Sequence, residues 1–211
     1  LVLGPVAGIF SVGYVRLITW AERHKPENWQ RLAAPVVGLS LLGLASVKYP
    51  QLLGNGKDIS QLAFTSHAPV LLLAALVLLK PLATALCVRC GAPGGLFTPS
   101  LTAGAMLGGL AGYVWAGLWP GVPVGLFALL GAAAVLAATT QGPVSSAMLM
   151  MELTGRSRSF ILPMLLAVCL ATLVARSIEP RSIYDARLSD EELEARRKVR
   201  EALVTPVTLK T

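Results

Sequence analysis

The sequence predicts an all-α, polytopic membrane protein with short, tilted and discontinuous helices. Hydrophobic residues make up 55% of its 211 residues, charged residues only 14%, and the mean hydropathy is +0.67. An ordinary globular chain carries about 25% charged residues. Between Arg89 and Glu152 there is no Asp, Glu, Lys or Arg. A soluble domain cannot keep so long a stretch off its surface, whereas a bilayer accommodates it, because a spanning helix needs about 20 mostly apolar residues.

The apolar segments are separated by charged or Gly/Pro-containing stretches. We expect them at residues 1–20, 32–47, 68–88, 100–117, 123–139, 142–153 and 159–178, with a charged loop at 21–31 and a short helix at 58–64. Pro81 is expected to bend the 68–88 helix or divide it in two. Several segments are shorter than a full span and are broken by Gly or Pro, as in transporters with inverted repeats. Residues 1–184 are therefore assigned to a membrane domain, and residues 185–211 to a short charged tail helix.

Charge and cysteine content exclude several function classes. The net charge is +7, but the basic residues lie at the ends of apolar segments, which is typical of juxtamembrane loops and not of a nucleic-acid surface. Cys87 and Cys90 have CxxC spacing, yet there is no second such pair, so we interpret them as small residues at a helix end. No metal or cofactor is expected. An enzyme is not expected either, because the apolar segments lack convergent titratable groups.

Residues 91–99, Gly-Ala-Pro-Gly-Gly-Leu-Phe-Thr-Pro, are too rich in Gly and Pro to be regular. Non-helical backbone at membrane depth must be satisfied internally or line a watery cavity. A helix is expected to begin near Leu96–Pro99, where unpaired N–H groups and the helix dipole favour an anion. One alternative is that Gly94 and Gly95 only permit close helix packing. A phosphate-binding loop is excluded, because no Lys-Ser or Lys-Thr follows the glycines.

A second glycine pattern lies in the helix expected at 100–117. Gly104, Gly108 and Gly112 recur every four positions. Small residues at this spacing form a face on which another helix can pack closely in lipid. We therefore expect this helix to contact a neighbour through these glycines.

Residues 91–99 resemble the anion-binding signature of the CLC family of chloride channels and proton-coupled chloride exchangers. Other segments resemble the family in the same order; they are Gly54-Asn55-Gly56, Leu136–Pro143, Met151–Gly155, Ile161–Met164 and Ser182-Ile183-Tyr184. The resemblance covers nearly the whole chain and is strongest to voltage-gated-type bacterial members. It implies the second half of an inverted-repeat CLC fold, so the N-terminal half of the same subunit is an expected partner. The family's filter serine and gating glutamate belong to that other half.

The resemblance implies specific site residues. The backbone amides of Leu96 and Phe97, preceded by Gly95, are expected to point at a chloride ion, and the hydroxyl of Tyr184 is expected to reach the same ion. From the residues alone, an interface tyrosine is the favoured interpretation of Tyr184, and only its position in the resemblance reverses this. Glu152 is an intramembrane carboxylate, for which we expect a structural role at a helix end, with a place in the ion pathway as the alternative.

The resemblance also implies assembly and location. A homodimer is expected, with Phe160, Ile161 and Met164 as candidates for its surface. The expected protein is a multi-pass protein of the bacterial inner membrane, with a cytoplasmic C-terminus, that carries chloride through the bilayer, with protons as a coupled ion if it is an exchanger. The alternatives are a fluoride-selective relative and a non-conducting structural subunit.

Overall fold

The computed structural model describes residues 2–27, 29–92, 94–119, 121–155, 160–188 and 190–204. Throughout these residues the regular structure is helical, as predicted. The α-helices are α1 (Leu3–Arg23), α2 (Gln30–Lys48), α3 (Lys57–Phe64), α4 (Val70–Arg89), α5 (Phe97–Leu118), α6 (Val124–Thr140), α7 (Pro143–Thr154), α8 (Ile161–Ile178) and α9 (Asp190–Val204). Short 3-10 helices cover Pro50–Leu52 and Asp185–Arg187.

Five of the described helices are long and apolar enough to cross a bilayer, namely α1, α2, α4, α5 and α8. The helix α6 is apolar but shorter, and α7 has only 12 residues. The break between α6 and α7 falls at the predicted place, where Gln141 adopts a left-handed conformation with φ 60°. These features agree with the predicted polytopic membrane protein.

Of the two outcomes predicted at Pro81, a bend or a division of the helix, the division does not occur. The helix α4 runs without interruption from Val70 to Arg89 with Pro81 inside it. Pro81 is buried, and α4 packs against both α1 and α5. Proline is tolerated in membrane helices because neighbouring helices compensate for the lost backbone bond.

The helices α5 and α6 pack backbone to backbone, and share the largest contact of any helix pair in the described residues. A Cβ built on Gly104 would lie 2.5 Å from the Gly131 carbonyl oxygen, and one built on Gly112 would lie 2.9 Å from the Phe127 Cβ. At Gly108 the Phe127 carbonyl occupies the same space. The glycines recurring every four residues therefore form a close-packing face, as predicted.

Three buried clusters hold the bundle together. The largest lies among α3 to α8, and another joins α1 to α6 and α8. The third joins α1 and α4 to Leu96, at the start of α5, and to Ile183, which precedes the second 3-10 helix. In contrast, only Gly38 of α2 is buried, so the apolar side chains of α2 face outward.

Candidate anion-binding site

The start of α5 presents free backbone amides. Pro99 has no N–H, so the donors of the first turn are the amides of Leu96, Phe97 and Thr98. No side chain caps this end, and no hydrogen bond engages these amides within the described residues. The Ser100 hydroxyl instead bonds to the Leu96 carbonyl at 2.8 Å, which supports the first turn from inside. A helix end of this kind attracts an anion through its amides and its dipole.

Gly94 and Gly95 are exposed and border open space. A Cβ built on either residue would meet no atom within 4 Å. No described helix therefore packs closely against these two glycines. They leave the approach to the Leu96 and Phe97 amides unshielded, and the left-handed conformation in this loop falls instead on Gly91, with φ 76°.

A cavity of about 290 Å³ opens at this helix start. It is lined on one side by Gly94, Gly95, Leu96 and Pro99, and on the other by residues of α4 and of the 52–55 loop, including Thr84 and Lys80. The sequence analysis did not assign Lys80, although it is a buried charge in an apolar helix. Its ammonium donates to the carbonyl oxygens of Gln51, Leu52 and Gly54 at 3.0, 2.9 and 2.9 Å. Lys80 is thus engaged by the backbone of the cavity wall.

The loop that faces α5 is also fixed from the other side. Gly54 and Gly56 have φ values of 67° and 87°, which places the start of α3 against α5. The Ser60 hydroxyl donates to Thr102 Oγ1 at 3.0 Å, and Thr102 donates to the Asn55 carbonyl at 3.3 Å. These contacts fix the cavity wall relative to the first turns of α5.

Tyr184 lies in a segment anchored to α6 and α1. The Ile183 amide donates to the Thr139 carbonyl at 2.8 Å, at the end of α6, and the Ile183 side chain is buried against α1. Arg187 pairs with Glu22 of α1 at 2.9 Å. After α8, Arg181 donates to Glu179 at 2.8 Å, and this bond lowers the pKa of the Glu179 carboxyl.

Tyr184 and Leu96 line different cavities. Tyr184 is 41% exposed and lines a cavity of about 380 Å³ with Thr140, Gln141 and Arg176. Leu96 is 1% exposed and lines the cavity at the start of α5. The two residues are linked through the third buried cluster, in which Leu96 and Ile183 both pack.

Tyr14 was not identified from the sequence and lines a third cavity, of about 320 Å³, with Phe10, Leu17 and Pro81. Its side chain is 3% exposed and packs in the same cluster as Leu96 and Ile183. Its hydroxyl lies near Thr84 but makes no hydrogen bond of normal geometry with any described residue.

Glu152 and the CxxC pair show no arranged site in the described structure. Glu152 is exposed in the last turn of α7. Cys87 and Cys90 are free thiols at the end of α4, as the sequence interpretation held. Among the described residues, no group of three or more His, Cys, Asp or Glu side chains is arranged to hold a metal ion.

The dimer candidates occupy different environments. Phe160 and Ile161 are partly buried at the start of α8. Met164 is 0% exposed and packs in the largest cluster, so it cannot contribute to a surface and is withdrawn as a dimer candidate. The helix repeat explains the difference, because Met164 lies on the buried face of α8, whereas Leu162, Leu166 and Leu173 are among the side chains that point outward.

A sequence model described as "Voltage gated chloride channel" matches residues 1–176. The chain belongs to the voltage gated chloride channel family. Relatives with CLC names include the "Voltage-gated ClC-type chloride channel ClcB" of Citrobacter koseri, 35% identical over 86% of this chain and 44% of the relative. Another is the "H(+)/Cl(-) exchange transporter ClcA" of Vibrio parahaemolyticus, 31% identical over 89% of this chain and 42% of the relative.

The CLC fold is also found among solved structures. A slow cyanobacterial Cl⁻/H⁺ antiporter matches 95% of this chain and 47% of its own chain, with a TM-score of 0.78 and 24% identity. This likeness establishes the fold. The chain spans less than half the length of these relatives. Together with its apolar helices, family membership identifies the chain as part of an integral membrane protein.

Proposed function

We propose that the protein carrying this chain transports chloride across the membrane, and that the anion is held by the amides of Leu96 and Phe97 at the start of α5. The observation that carries this proposal is the helix end itself. Its amides have no partner in the described chain, it follows the open glycines Gly94 and Gly95, and it lies at a cavity. Backbone dipoles bind an anion without a full charge, so that it is held weakly enough to leave again.

The hydroxyls of Tyr184 and Tyr14 complete the proposed path. A neutral hydroxyl donates one hydrogen bond to an anion without trapping it. Tyr184 provides this donor in the cavity at the end of α6, and Tyr14, which packs in one cluster with Leu96 and Ile183, is proposed as a second one. In this proposal, chloride passes from one cavity to the other beside these two hydroxyls. The protein acts by binding and release and makes no covalent bond, so it is not an enzyme.

Chloride and protons are both proposed as transported ions. The Vibrio relative is named as an exchanger of the two, and the Citrobacter relative is named as a channel. The residues that would decide between these modes are expected in the N-terminal half of the subunit, which we propose as the partner of this chain. No cofactor is required by the proposed mechanism.

The orientation that we propose places the tail in the cytoplasm of a bacterium, with the protein in its inner membrane. The ends of α1 and α4 and the tail segment lie on one side, because Arg187 pairs with Glu22 and Arg89 donates to the His24 carbonyl. This side also carries Arg23 and Arg31, and positive loops favour the cytoplasm. We also propose a homodimer in which the outward face of α8 meets its copy, together with Phe160 and Ile161.

The test is chloride flux in proteoliposomes made with the complete protein, with internal pH recorded at the same time. Chloride movement that drives protons uphill identifies an exchanger, and chloride movement without proton movement identifies a channel. Fluoride flux is measured in parallel, because a strong preference for fluoride would identify the protein as a fluoride transporter. Well-folded protein that moves neither anion would refute the transport proposal and favour a structural subunit.

A further inference from the structure

A basic cavity lies at the end of the bundle where α1 and α4 end and α2 begins. Its volume is about 740 Å³, and it is separate from the two cavities of the proposed chloride path. Four cationic side chains and two carboxylates line it, namely Arg23, Lys25, Arg31, Arg89, Glu22 and Glu27. The cavity is therefore basic and too large for a single small ion.

Three of these cations are available for a ligand. Glu22 is already paired with Lys25 and with Arg187. Arg23 and Arg31 form no ion pair with any side chain in the described part of the chain. Arg89 donates its Nε to the His24 carbonyl at 3.3 Å, which fixes the guanidinium and leaves its terminal N–H groups for another acceptor.

Aromatic side chains place this cavity at the depth of lipid headgroups. Trp20 stacks on His24 with ring centroids 4.9 Å apart, and the Arg89 guanidinium lies 5.5 Å above the Trp20 ring. Trp29 is exposed at the start of α2. Tryptophan is enriched where a membrane meets water. From this point the outward face of α2 is apolar, with exposed Leu32, Val36, Leu39 and Val47.

We propose that this cavity binds a phosphate group, and that an anionic phospholipid supplies it. Guanidinium groups bind phosphate through paired N–H···O bonds, which a spherical halide cannot accept in the same way. The unpaired arginines provide these donors, and the apolar face of α2 provides a surface along which acyl chains lie. The proposal does not depend on which ion the protein transports.

The test measures lipid binding to the complete protein by native mass spectrometry. Dioleoylphosphatidylglycerol is titrated against the wild type and an Arg23→Gln/Arg31→Gln variant, with zwitterionic dioleoylphosphatidylcholine as the comparison lipid. Both arginines are exposed and unpaired, so the variant is expected to fold. The control is Lys48→Gln/Lys57→Gln, which removes the same charge from exposed lysines that do not line the cavity. Lys48 lies at the opposite end of α2 from Arg31.

The expected result is a loss of about 25-fold in affinity for the anionic lipid in the arginine variant, since each surface cation contributes about fivefold. The lysine control is expected to change by less than about threefold. Inorganic phosphate is titrated separately by calorimetry. Binding of phosphate but not of lipid, with the same dependence on the arginines, supports the phosphate site and assigns it to a soluble ligand. Equal losses in both variants, or binding that is independent of both arginines, would overturn the proposal.

Discussion

Replacing Gly104 by alanine is expected to destabilise the protein relative to the same replacement at Gly117. Both glycines lie in α5, so both variants gain helix propensity, by up to about 1 kcal/mol. At Gly117 a Cβ meets no atom within 4 Å. At Gly104 it would lie 2.8 Å from the Val135 Cβ and 2.9 Å from the Ala132 Cα. The two substitutions therefore differ mainly in the contact with α6.

The magnitude follows from the geometry of this contact. Carbon atoms pack best at about 3.5–4.0 Å, so α6 would have to withdraw by roughly 0.7 Å. The Gly131 carbonyl and the Ala132 Cα are backbone atoms, which cannot rotate away as a side chain can. Overpacking of this kind costs about 1–3 kcal/mol, and we expect Gly104→Ala to be less stable than Gly117→Ala by this amount.

The assay is the melting temperature of the complete protein in one detergent, measured for the wild type and both variants under the same conditions. Gly104→Ala is expected to melt below the wild type, and Gly117→Ala at or above it. If Gly104→Ala melts as high as Gly117→Ala, the two helices do not meet backbone to backbone at this point, and the close-packing account is refuted.

Three further predictions follow from individual side chains. Lys80→Met removes the ammonium that donates hydrogen bonds to carbonyls of the 51–54 loop. It is expected to destabilise the protein by about 2–3 kcal/mol. An unchanged denaturation midpoint would show that these hydrogen bonds do not stabilise the fold. The pKa of Glu179 lies below its usual 4.5, so its stabilisation is present above that pH and lost as pH falls through the folded value. Glu179→Gln should therefore reduce the pH dependence of the melting temperature below about pH 4.5, and a pH dependence as steep as that of the wild type would contradict this assignment. Tyr14→Phe is expected to leave stability unchanged or higher, because its hydroxyl has no partner, but to slow chloride flux. The control is Tyr113→Phe, which removes a hydrogen bond to a backbone carbonyl. This variant is expected to be less stable but to keep its chloride flux per folded protein. Equal effects of the two substitutions on flux would argue against the proposed path.

Local sequence patterns were sufficient for most of the helices and for the start of α5. Two glycines followed by Leu-Phe-Thr-Pro predict an uncapped helix start, and the structure has α5 beginning at Phe97. The spacing of Gly104, Gly108 and Gly112 likewise predicts the face that packs on α6. These features depend on residues close together in the sequence.

Features that depend on distant partners could not be predicted. Pro81 lies in an unbroken helix because α1 and α5 support it, and neither contact is visible in the sequence around it. A lone lysine within an apolar helix indicates that Lys80 needs a buried partner. The sequence does not show which one, because the carbonyls that Lys80 binds lie 26 to 29 residues earlier. Met164 and Tyr14 could not be assigned to the core without the packing of α8 and α1.

The central claim is that the amides at the start of α5 hold the transported anion. The most direct measurement is anomalous diffraction from crystals of the complete protein soaked in bromide, which replaces chloride and can be located by its own signal. The account predicts a peak within hydrogen-bonding distance of the amides of Leu96 and Phe97. Bromide bound elsewhere in the protein, with no peak at this helix start, would contradict the account.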